Sequence, residues 1–288
     1  MRTFLIGACL TTACWALAWT RFGVLSEYSF FPLWLGYILT VNGLSELVTG
    51  SSLLKSMRRF VAPLFLSSIP LWWFFEAVDN IVQNWHYEFL NPVSRLHYIL
   101  QATVNFSIVV PAVLSTGFLF YQIAHKQDWL ITTQPFKVDS RRQWVIILLG
   151  LVGFALLPIF PSEAFPLVWV APILVLEPLA YLFGLPSLLR ELEKGRSTLL
   201  LAVMSGTLFT GMWWELWNYY ALPKWVYTVP YVGFWKIFEM PLLGYLGYPF
   251  FGIVVFSWAS LCFSTLFRIN LVCVFDNSSE GHCWLSGR

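Results

Sequence analysis

Charge is scarce in this sequence. Only 11% of its 288 residues are Asp, Glu, Lys or Arg, where soluble domains run at about a quarter. An ordinary water-soluble domain is therefore excluded. The net charge is +2 and there is no basic tail, which excludes an electrostatic footprint for nucleic acid. Cysteine is sparse as well. The five residues Cys9, Cys14, Cys262, Cys273 and Cys283 contain no Cys-x-x-Cys and no Cys/His metal spacing, so neither zinc nor a disulfide framework is expected. Of the four histidines, His86 and His97 share a loop region but lack a third ligand. No metal and no cofactor is expected.

Apolar surface is abundant. The chain is 58% hydrophobic and 19% aromatic, with a mean hydropathy of +0.68. A span needs about 20 mostly apolar residues. The expected fold class is all-α, a polytopic membrane bundle with eight spans near residues 3–20, 30–50, 61–83, 98–124, 144–160, 165–185, 198–222 and 232–266. The last is long, and Gly244, Gly247, Pro249 and Gly252 mark a kink or a break. The first also reads as a signal peptide, with Arg2 before an apolar run and Ala16-Leu17-Ala18 as the cleavage site.

Lys and Arg set orientation. Lys55, Arg58 and Arg59, then Lys126, Lys137, Arg141 and Arg142, then Arg190, Lys194 and Arg196 fall on one side, with Arg2, Arg268 and Arg288. The other side keeps Arg21, Arg95, Lys224 and Lys236. Both termini are therefore expected in the cytoplasm, in a bacterial-type inner (plasma) membrane, with the loops carrying Trp85 and Trp225 facing outward.

The chain repeats itself. "ILTVNGLSELVTGSSLLK" from Ile38 matches "ILVLEPLAYLFGLPSLLR" from Ile173 without a gap. "WFFEAVDNIVQNWHY" from Trp73 matches "MWWELWNYYALPKWVY" from Met212 with one small gap, and Pro111 then pairs with Pro249. Four spans per half make the repeats parallel, about an axis along the membrane normal. The expected organisation is a first repeat over 1–124, a cytoplasmic linker over 125–143, a second repeat over 144–267 and a loosely ordered tail over 268–288. Pairing of the first span with the fifth argues that the first is retained.

Intramembrane acids mark functional sites by default. Here they are Glu46, Glu76, Asp79, Glu177, Glu215 and Glu239. The repeat aligns Glu76 with Glu215, Asp79 with Asn218, Gln101 with Glu239 and Asn42 with Glu177. Glu215 and Asn218 share a helix face, as do Glu76 and Asp79. All four, with Glu239 and Gln101, reach the outer half of the membrane, so the sequence predicts one central cavity between the third, fourth, seventh and eighth spans. Trp72, Trp73, Trp213, Trp214 and Trp217 crowd that level, with Trp225 and Tyr227 at its outer edge. These residues and Gln101 are the candidate substrate-binding set. Structural alternatives stand beside this reading: Trp85, Trp225 and Tyr227 as an interfacial aromatic belt, Glu239 paired with Lys236, Glu46 meeting Lys55 or headgroups, Glu177 capping a broken helix or bridging helices, and the remaining polar groups as interhelical glue.

A carboxylic acid kept protonated by an apolar site is a Brønsted acid. Protonating an alkene gives a carbocation, which aromatic faces stabilise. A tryptophan-lined cavity with several acids therefore suits proton-initiated isoprenoid chemistry. The candidate catalytic residues are Glu215 and Glu239 as proton donor and partner, with Glu76, Asp79 and Asn218 removing a proton or placing a water.

Glu215, Asn218, Trp225, Tyr227 and Glu239-Met240-Pro241, with Glu76, Asp79, Trp85, Tyr87 and Gln101 in the first half, resemble the membrane carotenoid-cyclase domain of heterodimeric and fused lycopene cyclases. The family shows Pro-x-Glu-Glu where this chain reads Phe-Glu-Met-Pro. The resemblance covers the third-to-fourth and seventh-to-eighth spans. It implies an isomerase or lyase that cyclises an apolar isoprenoid. The expected function is thus cyclisation or hydration of a carotenoid- or terpene-like lipid, with the bilayer and that substrate as partners. Its alternatives are a small proton-coupled transporter or a lipid- or pigment-binding protein without turnover. The sequence does not set the oligomeric state.

Overall fold

The computed structural model describes residues 1–21, 23–276 and 283–285. The chain is mostly helical. Among the described residues, six helical stretches are long and apolar enough to cross a membrane: Arg2–Thr20, Phe30–Thr49, Arg58–Val82, Arg95–Lys126, Thr198–Tyr220 and Leu242–Leu266. By that criterion of length and composition it is an integral membrane protein.

The principal helices are α1 (Arg2–Thr20), α2 (Phe30–Thr49), α3 (Val61–Val82), α4 (Arg95–Phe106), α5 (Val109–Lys126), α6 (Ser140–Leu156), α7 (Leu167–Leu182), α8 (Thr198–Tyr220), α9 (Gly247–Leu266) and α10 (Leu271–Phe275). α1 packs along α2, and α6 along α7. The centre is built by α5 against α8 and by α9 against α7 and α8.

Small residues permit these approaches, because lipid leaves packing rather than water exclusion to join helices. A Cβ on Gly36 of α2 would lie 2.6 Å from the Thr11 backbone nitrogen of α1. A Cβ on Gly206 of α8 would lie 2.7 Å from the Gly117 nitrogen of α5. Just beyond that second contact, the Tyr37 hydroxyl lies 2.8 Å from Thr116 Oγ1 and 3.3 Å from Thr210 Oγ1, and Thr210 donates to Thr116 at 3.0 Å. Three buried hydroxyls thus join α2, α5 and α8.

Four expected spans differ from the prediction. The fifth and sixth correspond to the shorter helices α6 and α7, of 17 and 16 residues, which are not among the six. Residues 98–124 are not one unbroken helix. α4 ends at Phe106 and α5 starts at Val109. Ser68 bridges the break, donating to the Phe106 carbonyl at 2.5 Å and accepting from Val110 N–H at 3.1 Å. Residues 232–266 are not one helix either. β3 (Lys236–Ile237) pairs with β4 (Met240–Pro241), a 3-10 turn covers Leu242–Leu246, and α9 begins at Gly247. Pro111 and Pro249 are each the third residue of their helix, where a missing N–H costs no ladder bond.

The tail was expected to be loose, and its described part is not. Leu271 and Phe275 of α10 are fully buried. The Tyr121 hydroxyl donates to Asp276 at 2.7 Å, and Gln122 donates to the Phe275 carbonyl at 2.5 Å. Contrary to the expectation from spacing, Cys273 and Cys283 form a disulfide. The expectation for His282, and for the rest of the tail over 277–281 and 286–288, lies outside the described residues.

Candidate functional site: two glutamates behind one aromatic cavity

The site is organised by two short strands. β1 (Trp85–Glu88) follows α3, and β2 (Lys224–Tyr227) follows α8. They pair antiparallel, with Trp85 opposite Tyr227, His86 opposite Val226 and Tyr87 opposite Trp225. Each strand is tied back to the helix before it. Asp79 accepts from the N–H groups of Asn84 at 2.8 Å and Trp85 at 3.2 Å. Asn218 accepts from Trp225 N–H at 2.9 Å and donates to the Trp225 carbonyl at 2.7 Å. Asp79 and Asn218 are therefore positioning residues in this geometry. Their polar atoms serve backbone that would otherwise lack partners.

One turn earlier in each helix stands a buried glutamate. Glu76 accepts from Trp72 Nε1 at 2.9 Å, Trp85 Nε1 at 3.3 Å, Tyr87 at 2.6 Å and Tyr98 at 3.1 Å. Glu215 is fully buried. Its Oε1 accepts from Tyr227 at 2.8 Å and Tyr248 at 2.6 Å, and Trp225 Nε1 in turn donates to the Tyr227 hydroxyl at 2.9 Å. Its Oε2 is buried with no hydrogen-bond partner among the described residues. Burial, then the adjacent carboxylates, push the Tyr87 and Tyr227 phenols well above the ordinary value. Both stay protonated and remain donors.

These units wall a cavity of about 120 Å³ whose lining is predominantly apolar. It lies among the third, fourth, seventh and eighth predicted spans, with Phe30 and Trp169 contributing from the second and sixth. Trp72 stacks on Trp214 across it, ring centroids 5.7 Å apart, so the two halves share the wall.

The predicted site residues divide. Trp72, Gln101, Trp214, Trp225 and Tyr227 line the cavity. Glu76 and Glu215 do not line it. They stand behind it and touch it through tyrosine and tryptophan. Trp73 turns away to donate to Thr103 at 3.1 Å. Trp213 and Trp217 pack on Trp15 at 6.2 Å each, away from the cavity. Glu239 is held by Lys224 at 2.6 Å, and the alternative with Lys236 is not formed. Gln101 donates to the Glu27 carbonyl at 2.6 Å. The direct contacts that sequence reasoning missed are Tyr98 and Tyr248. The available signal was a tyrosine near a helix start at the depth of the acids.

The other intramembrane polar residues are bridges. Asn42 accepts from Leu54 N–H at 2.9 Å and donates to Ser115 at 2.8 Å. Glu177 accepts from Leu189 N–H at 2.8 Å and from Ser257 at 2.5 Å. Glu46 accepts from the Ser52 hydroxyl at 2.8 Å rather than from Lys55. Among the described residues no group of three His, Cys, Asp or Glu is placed to hold a metal. No family model, curated protein or solved structure matches this chain.

Proposed function

We propose that this chain is an integral-membrane enzyme that takes the unsaturated end of an isoprenoid lipid into the aromatic cavity and cyclises or hydrates it through a protonated intermediate. The observation that carries this reading is the convergence of two buried glutamates, each reaching the cavity through hydroxyl and indole groups, on one tryptophan-lined space. A proton adds to one alkene carbon. The resulting cation is attacked by a second alkene or by water, and a proton leaves a neighbouring carbon or the bound water. Glu215, with one unpartnered oxygen, is the source of the proton, relayed through Tyr227 or Tyr248, and the proton released at the end returns to it by the same path. Glu76, with four donors, is the fixed anion beside the cation. Tyr227 and Tyr248, which touch both the cavity and Glu215, are the direct contacts with the substrate. Glu239, Asp79 and Asn218 act only as supports.

The size of the cavity restricts the substrate. An engineered cavity of about 150 Å³ holds one benzene, so 120 Å³ takes an end group rather than a whole polyene. The resemblance to carotenoid-cyclase domains supports an end group as the reacting part.

The reading includes eight spans in two parallel four-helix repeats with both termini in the cytoplasm. Two observations support the repeat. The register of β1 and β2, Trp85 on Tyr227 and Tyr87 on Trp225, is what a two-fold axis between the strands produces. Asn42 and Glu177, aligned without a gap, bridge to the aligned backbone nitrogens of Leu54 and Leu189.

The test is mass spectrometry of lipid extracts from cells with and without the gene, and with Glu215→Gln. A new cyclic or hydrated isoprenoid that disappears in the variant supports the reading; identical extracts refute it. The position of both glutamates behind the wall favours a second reading, a binding protein without turnover. Its sign is a co-purified lipid released unchanged.

A further inference from the structure

We infer that the cavity is a binding site for a stable organic cation of the quaternary ammonium class. Its four tyrosines, Tyr87, Tyr98, Tyr227 and Tyr248, each spend the hydroxyl hydrogen on a glutamate. Those hydroxyl hydrogens are therefore not free to donate to a ligand in the cavity. Two of the indole N–H groups, of Trp72 and Trp85, are also spent on Glu76, and that of Trp225 is spent on Tyr227. A ligand in this lining meets aromatic rings whose N–H and O–H groups are already used, and the faces of such rings carry the negative end of the quadrupole. Behind them stand two buried carboxyl groups. Among the described residues the ion pairs join Asp139 to Arg142, Glu191 to Lys194 and Arg196, and Glu239 to Lys224, and none includes Glu76 or Glu215. A buried carboxylate without a basic partner is costly, and a cation in the cavity offsets that cost at Glu76. Every inward feature named here favours positive charge.

The size and chemistry select the class. A cavity of about 120 Å³ takes one compact group. A small hydrated ammonium needs acceptors in a close shell, which an apolar wall does not supply. A methylated ammonium carries its charge on a greasy surface and binds to aromatic faces. The cavity is the one used in the proposed reaction, but the inference does not depend on turnover. Its test measures binding alone, so the two readings fail separately.

The experiment uses the full chain in detergent, with calorimetry and tryptophan fluorescence. The probe is choline, and the control is 3,3-dimethylbutan-1-ol, which has the same shape with carbon in place of the charged nitrogen. The expected result is that choline binds more tightly by about tenfold or more. Glu76→Gln should weaken choline while leaving the neutral isostere unchanged. Equal affinity for the two compounds, or binding of neither, overturns the inference. The wild-type comparison needs no variant to fold. A binding loss in the variant that is equal for both compounds also counts against it, because it would make Glu76 scaffold rather than a source of field.

Discussion

Asn218→Ala separates a chemical role from a structural one. Asn218 is 2% exposed, and its amide makes two bonds to the backbone of one residue, Trp225. Each such bond contributes about 0.5–1.5 kcal/mol net, and a buried partner left unsatisfied costs about 1–3 kcal/mol. Trp225 is only half-buried, so water reaches part of the exposed backbone and the lower ends apply. The expected loss is about 2–4 kcal/mol of stability. It should appear as a shift in the denaturant midpoint of the detergent-solubilised protein. Asn80→Ala is the control. Asn80 is exposed and bonds only the Glu76 carbonyl of its own helix at 2.8 Å, so its change should stay within about 0.5 kcal/mol. β2 carries Trp225 and Tyr227 into the cavity wall, so Asn218→Ala should also disturb the cavity and lower ligand affinity. The reasoning is refuted if Asn218→Ala matches wild type in stability while turnover is abolished. That outcome would make Asn218 a participant in the chemistry rather than a tie for the strand.

Three further outcomes follow from the geometry. Breaking the Lys224–Glu239 pair, 15% exposed on each side, with Glu239→Gln should cost about 1–3 kcal/mol; Lys224→Met with Glu239→Leu should recover most of it, and both variants should still bind cavity ligand. Tyr87 and Tyr227 have folded values raised above the unfolded value of 10. Their contribution to stability is therefore complete below pH 10 and is lost as pH rises above it; tyrosinate absorbance in a pH titration should show both phenols ionising only with unfolding, checked against Tyr87→Phe and Tyr227→Phe. Gly206→Leu places a large side chain where a Cβ already lies 2.7 Å from the Gly117 nitrogen, so α5 and α8 should separate and the protein should lose its monodisperse peak in size-exclusion chromatography, whereas Ser205→Leu, on an exposed position of the same helix, should not.

The apolar, membrane-crossing helical character was legible because composition and a 3.6-residue period act locally. Glu76 with Asp79, and Glu215 with Asn218, were correctly placed on common helix faces for that reason. The break before Gly247 was partly legible, through Gly and Pro alone, whereas the break at Ser107 was not. The hairpin of β3 and β4 was not legible, since two-residue strands leave almost no periodic signal.

Low charge and long apolar runs by themselves fixed a membrane helical protein, and the internal match paired Glu76 with Glu215. Only tertiary structure decided what those glutamates touch. Helical periodicity gives the direction in which a side chain leaves its helix, not what the rest of the chain sets in front of it. The pairing of β1 with β2, and the turns that bring Tyr98 and Tyr248 inward, put hydroxyl groups between both carboxyls and the cavity. The same packing gave Glu239 to Lys224 and turned Trp73, Trp213 and Trp217 away. These are contacts between residues far apart in sequence, chosen by which partners satisfy buried polar atoms, and no local pattern encodes them.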